Sequence, residues 1–206
     1  ASLAAATTLL PPPPFNLRVE HLPPTLALGI DAQVPRFSWF LRHDKRGERQ
    51  TAYRLTISGA ASWDSGKIAS DQSENIVASG LKLSSGETYE WRVQWFDSGD
   101  TPSDWSANAT FDTGLLSTSD WDGAQWIIEG NDQSPQLRTT FTLPAPLAVR
   151  QAQLFVVGIG YSKCEINGQP VSDHELGHFS TIDQRVLYDT FDVSGSRFAL
   201  GAHNAI

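Results

Sequence analysis

The segment Thr88-Tyr89-Glu90-Trp91-Arg92-Val93-Gln94-Trp95-Phe96 constrains the fold of this chain more than any other stretch. Its large apolar side chains recur at every second residue. In a strand, Tyr89, Trp91, Val93 and Trp95 therefore share one face, and Glu90, Arg92 and Gln94 share the other. A helix would scatter the same rings around its circumference, so a half-buried sheet is the arrangement that satisfies them. Leu17-Arg18-Val19-Glu20, Arg36-Phe37-Ser38-Trp39-Phe40 and Tyr53-Arg54-Leu55-Thr56-Ile57 repeat the alternation, and Ile76-Val77 adds a shorter piece. Turn residues separate these runs at Lys45-Arg46-Gly47, Asp64-Ser65-Gly66, Ser84-Ser85-Gly86 and Asp97-Ser98-Gly99-Asp100. No segment sustains apolar residues at i, i+3, i+4 over about ten positions. Residues 15–114 are thus predicted to form an antiparallel β-sandwich of the fibronectin III or immunoglobulin class.

After this sandwich, Ser117 or Thr118 can cap a single helical turn ahead of Asp120-Trp121, which makes residues 115–125 a linker. Strands are expected again from Trp126 onward: Leu137–Leu143, Ala152–Val157, Tyr161–Ile166 and Arg185–Phe191. Asn167-Gly168 is the strongest hairpin signal in the chain, with Gln169-Pro170-Val171 as the return strand. Leu200–Ile206 reads as a turn entering a strand that does not arrive. Around eight strands close a jelly-roll-like sandwich, and this half offers five or six. Residues 126–206 are therefore expected to be the first part of a second, truncated sandwich whose missing strands follow in the polypeptide. The fold class is all-β, two consecutive antiparallel sandwiches.

Residues 1–14 read differently. Ala1–Ala6 has the look of the tail of a signal peptide, and Pro11-Pro12-Pro13-Pro14 imposes an extended spacer, so a leader and Pro-rich arm outside the fold are expected. The chain has no Met, position 1 included, which predicts a piece cut from a longer product.

Composition excludes some partners. Twenty-three acidic against 15 basic residues give a formal net charge of -8, without Lys/Arg clusters, so no nucleic acid is expected as a partner. No apolar run approaches the roughly 18 residues of a membrane span, so no membrane is expected either. The lone Cys164 allows no intrachain disulfide, lacks a neighbouring His/Asn pair and reads as a small core hydrophobe. Asn108-Ala109-Thr110 is a glycosylation sequon and, with the leader-like start, points to export.

Few residues offer chemistry. Asp173-His174-Glu175 with His178 resembles a metal set, because His174 and His178 stand at i, i+4. Gly177 and Phe179-Ser180-Thr181 place the cluster in a loop, where that spacing has no special meaning, and it reads as a polar surface loop. The acid pairs Asp71/Glu74, Asp97/Asp100 and Asp120/Asp122 lie in turns, where Asp is favoured for local backbone bonding. Trp39, Trp91 and Trp95 are expected in the core. Trp63, Trp105 and Trp121, in or beside loops, could stack on a sugar but read first as packing residues, and Arg36 and Arg92 are expected to lie along such rings. No residue is assigned as catalytic, cofactor-binding or metal-ligating, and no cofactor is expected.

Four collinear groups of residues resemble one family. They are Leu17–Glu20 with Leu28–Asp31 and Pro35–Trp39; Gln50–Arg54 with Trp63–Lys67 and Ser70–Ser73; Tyr89–Val93 with Ser103–Ser106 and Phe111–Leu116; and Trp121, Trp126-Ile127, Gly158–Tyr161, Ile166–Gly168 and Arg185–Tyr188. In order and spacing they resemble the N-terminal fibronectin-like domain, and the start of the following β-sandwich, of glycoside hydrolase family 78, the α-L-rhamnosidases. The resemblance implies secretion and, in the full-length enzyme, inverting removal of terminal α-L-rhamnosyl groups. Inversion takes two carboxyls roughly 6.5–9.5 Å apart. In the family these lie in a downstream (α/α)₆ barrel, so the implied partners of this segment are the rest of its own polypeptide and, through it, rhamnose-containing glycosides. Some members carry a calcium-dependent rhamnose-binding module near residue 130, for which Glu129–Gln133 leaves no room. A carbohydrate-binding or adhesion module without enzymatic activity is the alternative.

Overall fold

The computed structural model describes residues 10–128, 130, 135–145, 149–195 and 197–206. They form two compact units that divide between Leu116 and Ser117.

Eight strands build the first unit: β1 (Phe15–Val19), β2 (Arg36–Phe40), β3 (Ala52–Ser58), β4 (Trp63–Asp64), β5 (Ile68–Ala69), β6 (Ile76–Val77), β7 (Thr88–Phe96) and β8 (Ala109–Asp112). They make a three-stranded sheet in the order β1-β2-β6 and a larger one in the order β4-β3-β7-β8, with β5 also on β3. Every pairing is antiparallel. Seven consecutive pairs, from Ala52↔Phe96 to Ser58↔Glu90, lock β3 to β7. That register sets Tyr53, Leu55 and Ile57 opposite Trp95, Val93 and Trp91, so both strands bury the same face. Phe37 and Trp39 of β2 and Leu17 and Val19 of β1 join Tyr53, Leu55, Ile57, Trp91 and Val93 from the other sheet in one apolar cluster. Inside it, Phe37 meets Trp91 and Phe111 edge-on at 4.9 and 5.8 Å, and Tyr89 stacks on Phe111 at 5.4 Å. Edge-on and offset geometries suit the ring quadrupoles, which adds to the area buried.

Several buried polar groups find partners, whereas the buried Trp91 Nε1 has none among the described residues. Trp39 Nε1 donates to Gln50 Oε1 at 3.1 Å, and the Gln50 amide donates onward to the Ser70 and Gln72 carbonyls. The Tyr89 hydroxyl accepts from Ser84 N–H at 2.9 Å.

Two local features depart from the sequence reading. Asp64-Ser65-Gly66 does not reverse the chain. It is one extra residue in an edge strand, because Asp64 pairs Thr56 and Ile68 pairs Tyr53, leaving one more residue on the edge than on β3. The proline run is not an arm outside the fold. Pro11 and Pro14 are buried, and the Pro12 carbonyl accepts the Trp95 indole N–H at 2.8 Å. Trp95, at the far end of β7, needs both a cover and an acceptor, and a segment without internal hydrogen bonds has free carbonyls to offer.

The second unit opens with a 3₁₀ turn, Thr118–Trp121. The Ser117 side chain accepts from Ser119 N–H, and Asp120 Oδ2 returns the favour to Ser117 N–H at 2.9 Å. Six short strands follow: β9 (Thr140–Thr142), β10 (Gln153–Val156), β11 (Glu165–Ile166), β12 (Gln169–Pro170), β13 (Asp189–Asp192) and β14 (His203–Ala205). They pair only in twos, as β10-β13, β11-β12 and β14-β9. Asn167 and Gly168 both take positive φ, 52° and 76°, the geometry a two-residue hairpin with right-handed strand twist requires. The residues after Leu200-Gly201 do form a strand, β14, contrary to the sequence expectation. Its anchor is Asn204, buried, whose Oδ1 accepts from Ala199 N–H and Asn167 Nδ2 while its own Nδ2 donates to the Ala199 carbonyl. Among the described residues, the unit's apolar cluster has Ile166, Val171 and Val193 as buried members.

The first unit's core predicts a contrast on β2. Phe37→Ala, deep between the sheets, should cost about 3–5 kcal/mol in urea unfolding, whereas the exposed Phe40→Ala should cost less than about 1 kcal/mol. Equal losses at the two positions would contradict the placement.

Candidate functional site

The residues of β3 and β7 that do not point inward decide the surface chemistry. Alternation sends Arg54, Thr56 and Ser58 outward from β3, and Glu90 and Arg92 outward from β7. With Ser62, Trp63 and Asp64 at one edge and Trp105 and Asn108 at the other, they line a groove of about 710 Å³. Arg54 grips Asp64 through two parallel bonds, 3.1 and 2.6 Å, and holds that carboxyl below the usual range. Asn108 Nδ2 donates to Glu90 Oε1 at 2.9 Å. The Arg92 guanidinium lies 4.6 Å from the Trp105 ring centre, and that of Arg54 lies 5.7 Å from it.

Trp105 is held there by the residues around it. The Ser103 and Ser106 N–H groups donate to the Trp95 and Val93 carbonyls, while the two buried hydroxyls accept from Trp95 and Val93 N–H. Each serine thus stands in for a ladder residue along β7, which projects the intervening Trp105 over the sheet.

A second constellation, which the sequence reading missed, unites His43, Glu48 and Asp97 with their ligand-type atoms within 4.8 Å of one another. Each member already accepts hydrogen bonds. His43 Nδ1 accepts from Lys45 N–H, Glu48 takes Lys45 Nζ at 2.8 Å and Ser98 N–H at 2.8 Å, and Asp97 Oδ1 accepts from Gly99 and Thr101 N–H. These bonds clasp the loop before β3 to the turn after β7. No short-range motif marked it, since Glu48 and Ser98 are fifty residues apart.

The residues singled out from the sequence scatter. His174 faces Asp173 at 3.7 Å, both strongly exposed, and His178 instead meets Asp189 at 2.8 Å. Asp97 ties its own turn, Asp100 pairs with Lys67, Asp120 closes the capping box, and Asp122 takes a left-handed backbone after the 3₁₀ turn. Trp39, Trp91 and Trp95 are buried as expected. Trp63 donates to the Ser79 carbonyl and packs on the core, and Trp121 meets Tyr188 edge-on. Arg36, expected along a ring, is instead bound by both Glu20 carboxylate oxygens. Burial pushes the Cys164 thiol up, the opposite of what a nucleophile needs.

Glu20, Glu48 and Asp64 are each held below their ordinary range, by Arg36, Lys45 and Arg54 respectively. A glycosidase general acid needs the reverse shift.

Comparison with known proteins shows where these units recur. Residues 14–117 match the Rha78A-like, N-terminal immunoglobulin domain family, and residues 147–206 match the alpha-L-rhamnosidase N-terminal domain. An alpha-L-rhamnosidase of Formosa agariphila is 26% identical over 200 residues, covering 81% of this chain and 21% of the relative. The structure of an alpha-L-rhamnosidase from Dictyoglumus thermophilum superposes with a TM-score of 0.80 at 31% identity, over 94% of this chain and 24% of that one. The Aspergillus terreus enzyme gives 0.77 at 26% identity, over 94% and 23%. The chain thus spans about a fifth to a quarter of these relatives.

The Glu48 clasp predicts a pH signature. A carboxyl held below its unfolded range stabilises the fold above that range and loses its contribution as pH falls through it. The stability gap between wild type and Glu48→Gln should therefore be constant above about pH 5 and shrink progressively in acid, as read by urea unfolding. A gap unchanged down to about pH 2 would contradict the clasp.

Proposed function

We propose that this chain, which belongs to the α-L-rhamnosidase family through that family's N-terminal region, is the non-catalytic N-terminal part of a secreted glycoside hydrolase removing terminal α-L-rhamnosyl residues with inversion. The observation that carries the reading is the match of both units, in order, to the family's N-terminal domains, in a chain about a fifth of its relatives' length. Chemistry agrees with it. Inversion needs a carboxylic acid and a carboxylate flanking the scissile bond, with space for water. Glu20, Glu48 and Asp64, each held below its ordinary range, are tied to cations in ion pairs. The catalytic couple is therefore assigned to a helical barrel further along the same polypeptide.

Dependence of the second unit on more of that polypeptide is supported by its surface. Ile128, Leu176 and Phe179 are 86%, 79% and 104% exposed, and among the described residues the apolar cluster of this unit has three buried members. Each of the exposed three is a large apolar side chain left open to further packing. Export is supported by the sequon, whose Asn108 side chain is exposed. Among the described residues, no helix is long and apolar enough to cross a membrane.

The test is hydrolysis of p-nitrophenyl α-L-rhamnopyranoside. The purified 206-residue chain should release no nitrophenol, and the complete polypeptide should release it with β-L-rhamnose as the first product seen by NMR. Turnover by the short chain, or an inert complete polypeptide, would overturn the assignment.

A further inference from the structure

The groove on the larger sheet of the first unit is built from groups whose bonding capacity its own residues leave unused. Arg92 presents a guanidinium with five N–H donors, pressed on Trp105, and has no hydrogen-bond or ion-pair partner among the described residues. The Thr56 and Ser62 side-chain hydroxyls, also on the lining, likewise have none. Glu90 uses one carboxylate oxygen on Asn108 and keeps the other. Donors and acceptors thus converge beside an indole, in an open groove of about 710 Å³.

Charge narrows the ligand. Arg54 and Arg92 balance Asp64 and Glu90, so the lining is formally neutral. A phosphorylated or sulfated ligand would meet two carboxylates, and a cationic one would meet two guanidiniums. A polyhydroxylated, uncharged ligand meets alternating donors and acceptors with an aromatic ring alongside. We propose that this groove is a binding subsite for a neutral oligosaccharide, with Arg92 and Glu90 bonding its hydroxyls and Trp105 packing on its apolar face. The class of sugar, a rhamnosylated chain, rests on the function proposed above. On that footing the first unit holds the glycan while hydrolysis proceeds elsewhere in the polypeptide.

Calorimetric titration of the 206-residue chain with α-L-rhamnopyranosyl-(1→6)-D-glucose tests it. Saturable binding with a Kd near or below about 1 mM is expected. Arg92→Gln should weaken it at least about tenfold, with the thermal midpoint unchanged and Lys82→Gln, exposed and outside the lining, neutral. Trp105→Ala should abolish it. Because that substitution also removes a packing ring, Arg92→Gln decides. Absence of saturation, full affinity in Arg92→Gln, or tighter binding of a sulfated disaccharide would overturn the proposal. The complete polypeptide's rhamnosidase activity is a separate readout. Hydrolysis without sugar binding removes the groove proposal alone, and binding without hydrolysis removes the enzymatic reading alone.

Discussion

The seven-pair ladder between β3 and β7 is the constraint from which the first unit follows. Because side chains alternate with a period of two, a slip of one residue would exchange the two faces of both strands at once. In the observed register, Leu55, Ile57, Trp91 and Val93 close the interior against β1 and β2. The same register places Arg54, Thr56, Glu90 and Arg92 together outside. Core and groove are therefore two consequences of one pairing. Trp95 extends the logic to the end of β7, where the tetraproline segment and His43 cover the last inward ring.

The two units solve the same problem to different degrees. In the first, two sheets share an aromatic interior, and the edge beside β7 is finished by Ser103 and Ser106 hydroxyls. The second has the turn chemistry of a sheet protein, with a capped 3₁₀ entry, an Asn-Gly hairpin and the Asn204 hub, but its ladders stop at two strands. Two-stranded ladders are marginal alone and draw stability from a covered face. Ile128, Leu176 and Phe179 of this unit are strongly exposed.

What the sequence made legible follows the range of the interactions. Alternation in β2, β3 and β7, the capped turn at Ser117 and the hairpin at Asn167-Gly168 are local patterns, and the structure has them where the residues place them. Docking of Pro11–Pro14 was invisible because it depends on an indole N–H eighty-three residues away. The His43–Glu48–Asp97 clasp and the groove likewise join residues far apart in the chain. Arg36 was misplaced for a simpler reason: a bidentate carboxylate, Glu20, is a stronger partner than a ring. The Asp64-Ser65-Gly66 signal marked a real irregularity, but a bulge and a reversing turn use the same residues.

If the first unit is complete in itself and the second is finished by the rest of the polypeptide, amide hydrogen exchange will report the difference directly. Compared between the 206-residue chain and the complete polypeptide, β3 and β7 should exchange equally slowly in both, whereas β9 to β14 should gain strong protection only in the complete polypeptide. Equal protection of β9 to β14 in the two would contradict the account.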